Sequence, residues 1–420
     1  MTRPRRAPAA RACAAVVLAL VVALGALATA CSSSSAPETA PTTVAPTTTQ
    51  PPSTTTTQPG HDAVVFVSVG GNIDAYATQP PFDRQRVVAA GTVADGSEPH
   101  GQICFLPDGS RRFVVAETRP ASGSTPAAAG FGLYQLTGND VGTYRVARVA
   151  GVRLSSAAPT TTYGCAFLPD GRLFTTVVGS ATGAGTGQLV EWFPPFTAAG
   201  ATHCTIATGL ASPGGLAADP AGGIEVAVAR APGAGVWHFT GAFPASAKAC
   251  GSLSPPTTTA GTQPGPTTVA SGIRAAPLVT AGANGLTAPA AVALTADGKG
   301  FVATSPPDGV IDQYDLSGHF VGTVLAPPAG EQLGITPRAS GTPQGVAVNA
   351  DGTVFYTDPA LVRSSDGTVA PAARAGSLRR IVVTGGKPGA PQVVNRQLPA
   401  PDGLGIFDPT SASGGAASIA

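Results

Sequence analysis

Residues 100–117 read HGQICFLPDGSRRFVVAE, and this stretch decides the fold because the chain returns to its pattern four more times. In each copy a small or glycine residue starts a short apolar strand, a Pro-Asp-Gly-like turn follows, and a second apolar strand runs back. The other copies are YGCAFLPDGRLFTTVV from Tyr163, GGLAADPAGGIEVAVA from Gly214, AAVALTADGKGFVATS from Ala290 and QGVAVNADGTVFYTDP from Gln344. Asp-Gly or Ala-Gly between alternating apolar runs is a strong hairpin signal, so the sequence predicts a repeated β-hairpin.

The spacing of the hairpins indicates how they assemble. Their turns recur roughly every 50 to 75 residues, a spacing typical of propeller blades joined by variable loops. A sixth start, APDGLGIF at residues 400–407, is so near the C-terminus that it supplies only one strand. N-terminal strands without such a start are predicted at residues 64–69, 73–77 and 86–89. We expect residues 403–407 to pair with them, which closes the ring and removes free sheet edges.

The predicted fold is therefore all-β, a six-bladed β-propeller closed by pairing of its N- and C-terminal strands. Blade 1 begins at His100 and blade 6 is the composite blade that contains residues 403–407. A seven-bladed ring is the alternative, because residues 240–285 are long enough to contain a degenerate blade.

Composition agrees with a folded β-rich domain and excludes some functions. The 420 residues include 54 Gly and 41 Pro, and 43% hydrophobic residues are enough for a large core. A net charge of +1 with only 11% charged residues does not favour nucleic-acid binding, so no nucleic-acid partner is expected. The adjacent Arg379 and Arg380 are interpreted as a solvated pair rather than a basic patch.

The N-terminus has the three parts of an export signal. Four arginines precede an apolar run at residues 14–27, which is roughly 14 residues long and short of the ~20 that span a bilayer. Small residues then precede Cys31. Residues 27–31, Leu-Ala-Thr-Ala-Cys, resemble the bacterial lipobox, although Ala28 stands where that motif usually has Leu.

The lipobox resemblance implies a lipoprotein, in which Cys31 carries a palmitate-containing lipid and becomes the mature N-terminus. The membrane would then be a partner through this lipid, and the protein would be held at the extracytoplasmic face of the cell membrane. Plain secretion and an uncleaved anchor are the alternatives. The predicted organisation is a signal peptide at residues 1–30, a disordered Ser/Thr/Pro-rich tether at 31–60, the propeller at 61–410 and a flexible tail at 411–420.

Four cysteines fall in the predicted propeller, where an exported protein can oxidise them. Three connectivities are possible. We favour Cys104 with Cys165, on the first strands of neighbouring blades, and Cys204 with Cys250, in the outer parts of neighbouring blades; buried free thiols are the alternative.

The second halves of the blades carry a resemblance to known propellers. Residues 310–321, VIDQYDLSGHFV, alternate as a strand, turn at Ser-Gly and alternate again, and this stretch resembles the NHL repeat. The run into Pro401-Asp402-Gly403 resembles the gluconolactonase and strictosidine-synthase-like propellers. The resemblance covers about residues 98–409, and its short motifs bear on the fold more than on the activity.

Candidate site residues follow from the repeat. In a propeller, the residue before the leading glycine of each first strand tends to face the mouth of the central channel. Around the ring these residues are His100, Tyr163, Gly214, Ala290, Gln344 and Asp402. The polar members come from four contiguous blades, whereas Gly214 and Ala290 are expected to leave space opposite. Blade 1 has one residue more than the others, so a bulge is needed to bring His100 into register.

Two functions are compatible with these residues. The preferred one is a non-catalytic propeller that binds a small molecule, a glycan or a protein partner at the channel mouth through His100, Tyr163, Gln344 and Asp402. The alternative follows from the resemblance: a metal-dependent gluconolactonase-like hydrolase, with Asp402 as metal ligand and base, assisted by His100, and with Ca²⁺ or Zn²⁺ as cofactor.

The number of carboxylates at the mouth distinguishes the two functions. A Ca²⁺ ion takes six or more oxygen ligands, several of them carboxylates, and only Asp402 is placed at the mouth by the repeat. The lactonases' N-terminal Glu-Gly-Pro and their Asn-Gly are absent, with Gln344 nearest to the latter position. Glu98, Glu117 and Asp358 are candidates for further ligands. At most one acid beyond Asp402 favours binding, and three convergent oxygens favour catalysis.

Overall fold

The computed structural model describes residues 63–121, 127–155, 161–179, 185–198, 201–256 and 265–409. The predicted signal peptide, Cys31, the tether and the C-terminal tail lie outside these ranges. No helix in the described ranges is both long and apolar enough to cross a membrane. The helices found there are two single-turn 3-10 helices, Ala247–Ala249 and Ala283–Gly285.

Most of the described strands form six antiparallel sheets, the blades, and four short strands form two separate hairpins. The N-terminal strands, which belong to blade 6, are β1 (Val64–Val69), β2 (Asn72–Ala77) and β3 (Arg84–Val88). Blade 1 contains β4 (Glu98–Phe105), β5 (Arg112–Arg119), β6 (Ala128–Thr137) and β7 (Arg145–Leu154). Blade 2 contains β8 (Thr161–Phe167), β9 (Leu173–Gly179), β10 (Gly187–Phe193) and β11 (Thr202–Leu210). Blade 3 contains β12 (Pro213–Ala218), β13 (Ile224–Val228) and β14 (Gly235–Gly241).

The remaining strands complete the ring. Between β14 and the fourth strand of blade 3, β17 (Ile273–Thr280), lie β15 (Leu253–Ser254) and β16 (Thr268–Ala270). Blade 4 contains β18 (Ala291–Leu294), β19 (Gly300–Ser305), β20 (Val310–Asp315) and β21 (Phe320–Leu325). Blade 5 contains β22 (Val346–Val348), β23 (Val354–Asp358), β26 (Gly376–Ile381) and β29 (Gln392–Leu398), with small hairpins β24 (Leu361–Arg363) to β25 (Val369–Pro371) and β27 (Val383–Thr384) to β28 (Lys387–Pro388). The last strand is β30 (Pro401–Phe407).

The two ends of the chain close the ring, as predicted. Strand β30 is the innermost strand of blade 6 and pairs antiparallel with β1, so the sheet order is β3-β2-β1-β30. Val65 faces Ile406 and Val67 faces Leu404 across this pair. The six-bladed, all-β propeller is thereby confirmed.

The alternative of seven blades is wrong. Within residues 240–285, β15 and β16 extend the outer edge of blade 2, where β16 pairs with β11, while β17 is the outer strand of blade 3. The long insertion is therefore shared by two existing blades.

Buried apolar side chains lie between neighbouring blades rather than at one centre. Six clusters of described residues fill the six interfaces, as expected when each sheet is apolar on both faces. The cluster between blades 6 and 1 contains Phe66, Phe113 and Phe407, and the one between blades 5 and 6 contains Val67, Phe355, Leu378 and Leu404. Apolar clusters therefore lie on both sides of blade 6, as they do beside the other blades.

The predicted disulfides are both present. Cys104 on β4 is bonded to Cys165 on β8, with Cα atoms 6.0 Å apart, and Cys204 on β11 is bonded to Cys250, with Cα atoms 5.5 Å apart. Cys250 belongs to the insertion of blade 3 that crosses to the edge of blade 2. The first bond therefore joins two inner strands, and the second fixes the insertion.

A relay of hydroxyl groups connects adjacent inner strands. The Thr357 hydroxyl on β23 accepts the N–H of Gly345 at 2.8 Å in its own blade and donates to the carbonyl of Asp402 in the next. Thr176 and Thr304 bridge their neighbouring blades in the same way, and Ser68 does so between blades 6 and 1. Four of the six blades are thus joined at the channel by a side chain of the second strand.

The interpretation of Arg379 and Arg380 as a solvated pair is wrong. Arg380 is buried, and its guanidinium donates to the carbonyl oxygen of Thr78 in blade 6 at 2.8 Å and stacks over Phe82, 4.6 Å from the ring centre. Arg379 forms an ion pair of 3.0 Å with buried Asp358. Alternation on β26 sends the two side chains to opposite faces, which is why neither is a solvated surface charge.

Candidate functional site

The inner strands of blades 6, 1 and 2 converge near their starts, because a glycine follows each of Asp402, His100 and Tyr163. A Cβ on Gly403 would lie 2.1 Å from the backbone of Gly101, and a Cβ on Gly101 would lie 2.5 Å from the carbonyl oxygen of Tyr163. Only glycine allows the strands of blades 6, 1 and 2 to approach so closely. The residues that precede these glycines are therefore brought to one small volume, the channel mouth.

Asp402 is the acidic group of the mouth. Its Oδ2 accepts the backbone N–H of Gly101 from blade 1 at 3.0 Å, and its carbonyl oxygen accepts the hydroxyl of Thr357 from blade 5. The side chain retains some accessible surface but is enclosed by the converging strands. This burial raises the pKa of the Asp402 carboxyl, and His100, the Gly101 N–H and Tyr163 act in the opposite direction.

Tyr163 supplies a buried hydroxyl group beside that carboxylate. The residue is 2% exposed, and its hydroxyl has no hydrogen-bond partner among the described residues. Burial raises the pKa of the Tyr163 phenol well above its ordinary value, with a further increase from the Asp402 charge and an opposing contribution from the Gln344 side chain. The Asp402 and Gln344 side chains lie close enough to this hydroxyl to affect its pKa, and a hydrogen bond to it would offset a burial cost of about 1–3 kcal/mol.

A bulge in β4 brings His100 to the mouth, as the extra residue of blade 1 predicted. It faces Ala116 on β5, the next regular pair is Ile103 with Val115, and Gly101 between them has φ of 68°. The His100 Nε2 lies 2.9 Å from the carbonyl oxygen of Thr162, and Nδ1 lies 3.4 Å from that of Glu98. Because a carbonyl oxygen only accepts, Nε2 is the nitrogen that carries a proton and donates to Thr162.

Gln344 completes the polar side of the ring. Its backbone is fixed twice, since its N–H donates to Thr357 at 2.8 Å and its carbonyl accepts the Thr304 hydroxyl at 2.8 Å. Its half-buried side chain is close enough to Tyr163 to affect the pKa of that phenol. The four polar residues that the repeat placed at the mouth are therefore neighbours, although their role remains a prediction.

Blades 3 and 4 contribute the small residues Gly214 and Ala290 to the ring. A Cβ on Gly214 would lie 2.1 Å from the carbonyl oxygen of Ala290, so the small residues of blades 3 and 4 serve close strand packing. The space expected opposite the polar side chains stays a prediction.

Gln102 is a site residue that the sequence reasoning missed. It follows His100 by two residues on β4, and its amide donates to the carbonyl oxygen of Leu216 at 3.0 Å. The amide oxygen accepts the N–H groups of Leu216 at 3.1 Å and Cys165 at 3.3 Å, so one side chain links blades 1, 2 and 3 below the mouth. The available signal was a lone polar residue where the other copies have Gly, Ala or an apolar residue.

Two of the three further carboxylates considered as metal ligands, Glu117 and Asp358, are paired with arginines. Glu117 is fully buried inside blade 1, where Arg148 Nε donates to it at 2.9 Å. Asp358 accepts the Thr342 N–H at 2.8 Å and pairs with Arg379 inside blade 5. Glu98 is exposed at the start of β4.

The mouth therefore does not fit the calcium or zinc centre that gluconolactonase-like propellers imply. Among the described residues one carboxylate, that of Asp402, is accompanied by a phenol, an amide and an imidazole whose nitrogens face carbonyl oxygens. Ca²⁺ takes six to eight oxygen ligands, and Zn²⁺ favours imidazole or thiolate donors with free lone pairs. The arrangement is suited to hydrogen bonding.

Comparison with solved structures gives matches at low sequence identity. No protein-family model and no curated protein matches the chain. The periplasmic gluconolactonase of Pseudomonas aeruginosa is 15% identical, with 82% of this chain and 99% of that chain covered at a TM-score of 0.49. A Bacteroides caccae protein of unknown function is 11% identical over 82% and 99%, at 0.46. A calcium-binding regucalcin of Agrobacterium tumefaciens is 12% identical over 64% and 83%, at 0.39.

Proposed function

We propose that the channel mouth binds a small, hydroxyl-rich molecule of about monosaccharide size without transforming it. The observation that carries this proposal is the unpartnered, buried hydroxyl of Tyr163 beside the Asp402 carboxylate. A ligand hydroxyl can accept from the phenol and donate to the carboxylate at once, which satisfies both buried groups.

The neighbouring side chains support a polar, uncharged ligand. The amide of Gln344 offers donors and an acceptor, and the single carboxylate of Asp402 orients hydroxyl donors without demanding a second charge. Apart from His100, none of the described residues of the mouth has a side chain that can be cationic. A strongly anionic ligand would therefore find no permanent positive charge there.

The hydrolase alternative is less well supported. It requires a metal held by several oxygens, and the two other buried carboxylates of blades 1 and 5 are paired with arginines. Asp402 could act as a base without a metal ion. The binding experiment below therefore includes sugar lactones, whose turnover would report catalysis.

The proposed location is the extracytoplasmic face of the cell membrane, with the propeller attached through a lipid on Cys31. The support is the export signal and the lipobox-like residues 27–31. Replacing Cys31 with Ser is expected to move the protein from the membrane fraction to the medium or periplasm. Unchanged membrane association would contradict the lipid anchor.

Thermal unfolding with a panel of monosaccharides, polyols and sugar lactones tests the proposed function. A ligand at 100 times its Kd raises stability by about 2.7 kcal/mol. We expect a member of the panel to raise the Tm of the wild type and not that of Asp402→Asn. The matched control is Asp366→Asn, which removes an exposed carboxylate from the hairpin of β24 and β25.

Two outcomes would contradict the proposal. One is an equal Tm shift in wild type and Asp402→Asn, which would place the ligand elsewhere. The other is turnover of a lactone that EDTA abolishes and Ca²⁺ or Zn²⁺ restores, which would establish the hydrolase instead.

A further inference from the structure

Buried carboxylates recur around the propeller, one on a middle strand of each blade. Within the described strands these are Asp74, Glu117, Glu191, Glu225, Asp312 and Asp358. Four of them are paired with arginine: Asp74 with Arg84 and Arg86, Glu117 with Arg148, Glu191 with Arg172, and Asp358 with Arg379. A buried carboxylate needs such a partner because the charged form is costly to desolvate.

The other two carboxylates are Asp312 in blade 4, which accepts the Thr323 hydroxyl at 2.8 Å, and Glu225 in blade 3. Glu225 is fully buried, and neither of its carboxylate oxygens has a hydrogen-bond partner among the described residues. No arginine or lysine of the described ranges forms an ion pair with it; the basic group nearest to it is the imidazole of His238, 3.7 Å from Oε1. The buried carboxyl of this blade therefore has an imidazole, rather than an arginine, as its basic neighbour.

A second carboxylate lies beside the same imidazole. Asp219 Oδ2 is 2.9 Å from His238 Nε2, while its other oxygen accepts the N–H of Gly223 at 2.8 Å. The three ligand atoms of Asp219, Glu225 and His238 all lie within 4.8 Å of one another. A Cβ on Gly223 would fall 2.2 Å from Nε2 and 2.4 Å from Oδ2, so glycine leaves this space open.

We propose that Asp219, Glu225 and His238 form a Zn²⁺ site. Tetrahedral Zn²⁺ with bonds of about 2.0–2.1 Å separates its ligand atoms by about 3.3 Å, and the separations from Nε2 of 2.9 and 3.7 Å lie on either side of that value. One imidazole and two carboxylates suit Zn²⁺ better than Ca²⁺, which takes six to eight oxygens. The ion would supply the positive charge that arginine supplies in blades 1, 2, 5 and 6.

The site is separate from the channel mouth. Asp219, Gly223 and Glu225 lie at the turn from β12 to β13, whereas Gly214 of the mouth ring lies at the other end of β12. His238 is the most accessible of the three ligands, with 22% of its side chain exposed, so an ion can enter from its side. Three protein ligands leave a fourth position for water.

Calorimetric titration of the EDTA-treated, dialysed full chain with ZnCl₂ tests this site. We expect one tight Zn²⁺ per wild-type chain and a higher Tm, with affinity reduced at least about tenfold in Glu225→Gln and His238→Gln. Two matched controls should bind as the wild type: Glu191→Gln, which changes the arginine-paired carboxylate of blade 2, and Asp402→Asn, which changes the mouth.

The proposal would be overturned if the wild type bound no stoichiometric Zn²⁺. It would also be overturned if Zn²⁺ binding survived in Glu225→Gln and His238→Gln. Binding lost only in Asp402→Asn would overturn it too, by placing the ion at the mouth. The visible absorption spectrum of the wild type with Co²⁺ tests the site without any variant. Tetrahedral Co²⁺ absorbs strongly in the visible range, which is the expected result. A weak octahedral spectrum would contradict the three-ligand site.

Discussion

Tyr163 and Asp402 show that a residue's position within the repeat can predict whether its side chain lies at the mouth. Counting back from each turn predicted that these side chains, with His100 and Gln344, face the mouth, and all four are neighbours there. The absence of a partner for the Tyr163 hydroxyl was not predictable, because it depends on distances set by three separate blades. The same is true of Gln102, whose partners lie 63 and 114 residues away in sequence.

Replacing Tyr163 with Phe tests whether its hydroxyl is unpartnered. Removing a buried polar group that has no partner is expected to leave stability unchanged or raise it by about 1 kcal/mol, a Tm increase of about 1–3 °C. The control is Tyr356→Phe, since the buried Tyr356 hydroxyl donates to the Ser340 carbonyl at 2.8 Å, and its loss should lower stability by about 1 kcal/mol. Equal destabilisation by both changes in thermal unfolding would show that Tyr163 has a partner.

The pH dependence of stability should report the buried carboxyl of Glu225. Burial raises its pKa from 4.5 to about 8, and the Asp219 charge adds to the increase. The folded state holds this proton more tightly than the unfolded chain, so the stabilising contribution is complete below about pH 4 and is lost as the pH rises towards 8. Without Zn²⁺, the Tm of the wild type should fall between pH 5 and pH 9.

The variant Glu225→Gln isolates this effect, because glutamine keeps the shape and cannot ionise. Its Tm should fall less than that of the wild type over the same range, and exposed Glu98→Gln should follow the wild type. Parallel Tm curves for wild type and Glu225→Gln would mean that the carboxyl titrates at its ordinary pKa.

Strands and turns differed in how far the sequence determined them. The five Asp-Gly or Ala-Gly hairpins and the strand at residues 401–407 follow from local signals and were predicted. The attachment of β16 to β11 was not, because the two strands are separated by some sixty residues and the insertion has no repeat pattern. The Arg380 contact with blade 6 was missed for the same reason, since its acceptor Thr78 is 302 residues away.

The Arg380 contact predicts a measurable loss of stability. Arg380→Ala removes a buried guanidinium that donates to the Thr78 carbonyl and packs on Phe82, so we expect a loss of about 2–3 kcal/mol in chemical denaturation. Exposed Arg396 on the neighbouring strand β29 is the control, and Arg396→Ala should change stability by less than about 0.5 kcal/mol. Similar values for the two variants would mean that Arg380 does not join blades 5 and 6.

The propeller as an assembled ring depends on both ends of the chain. Strand β30 fills the innermost place of blade 6, its Phe407 and Leu404 complete the clusters on either side, and Asp402 at its start enters the mouth. The closure also places Asp402 one blade from His100, although the two residues are 302 positions apart in sequence. Fold and candidate site therefore rest on the same pairing of β1 with β30.

Hydrogen exchange of the unmodified chain, followed by mass spectrometry, measures that pairing directly. If β30 is the inner strand of blade 6, the alternate amides of residues 402–407 that are bonded to β1 should exchange as slowly as those of residues 64–69, over hours. Exchange of residues 401–407 within seconds, while residues 64–69 stay protected, would contradict the closed ring and the site built at its mouth.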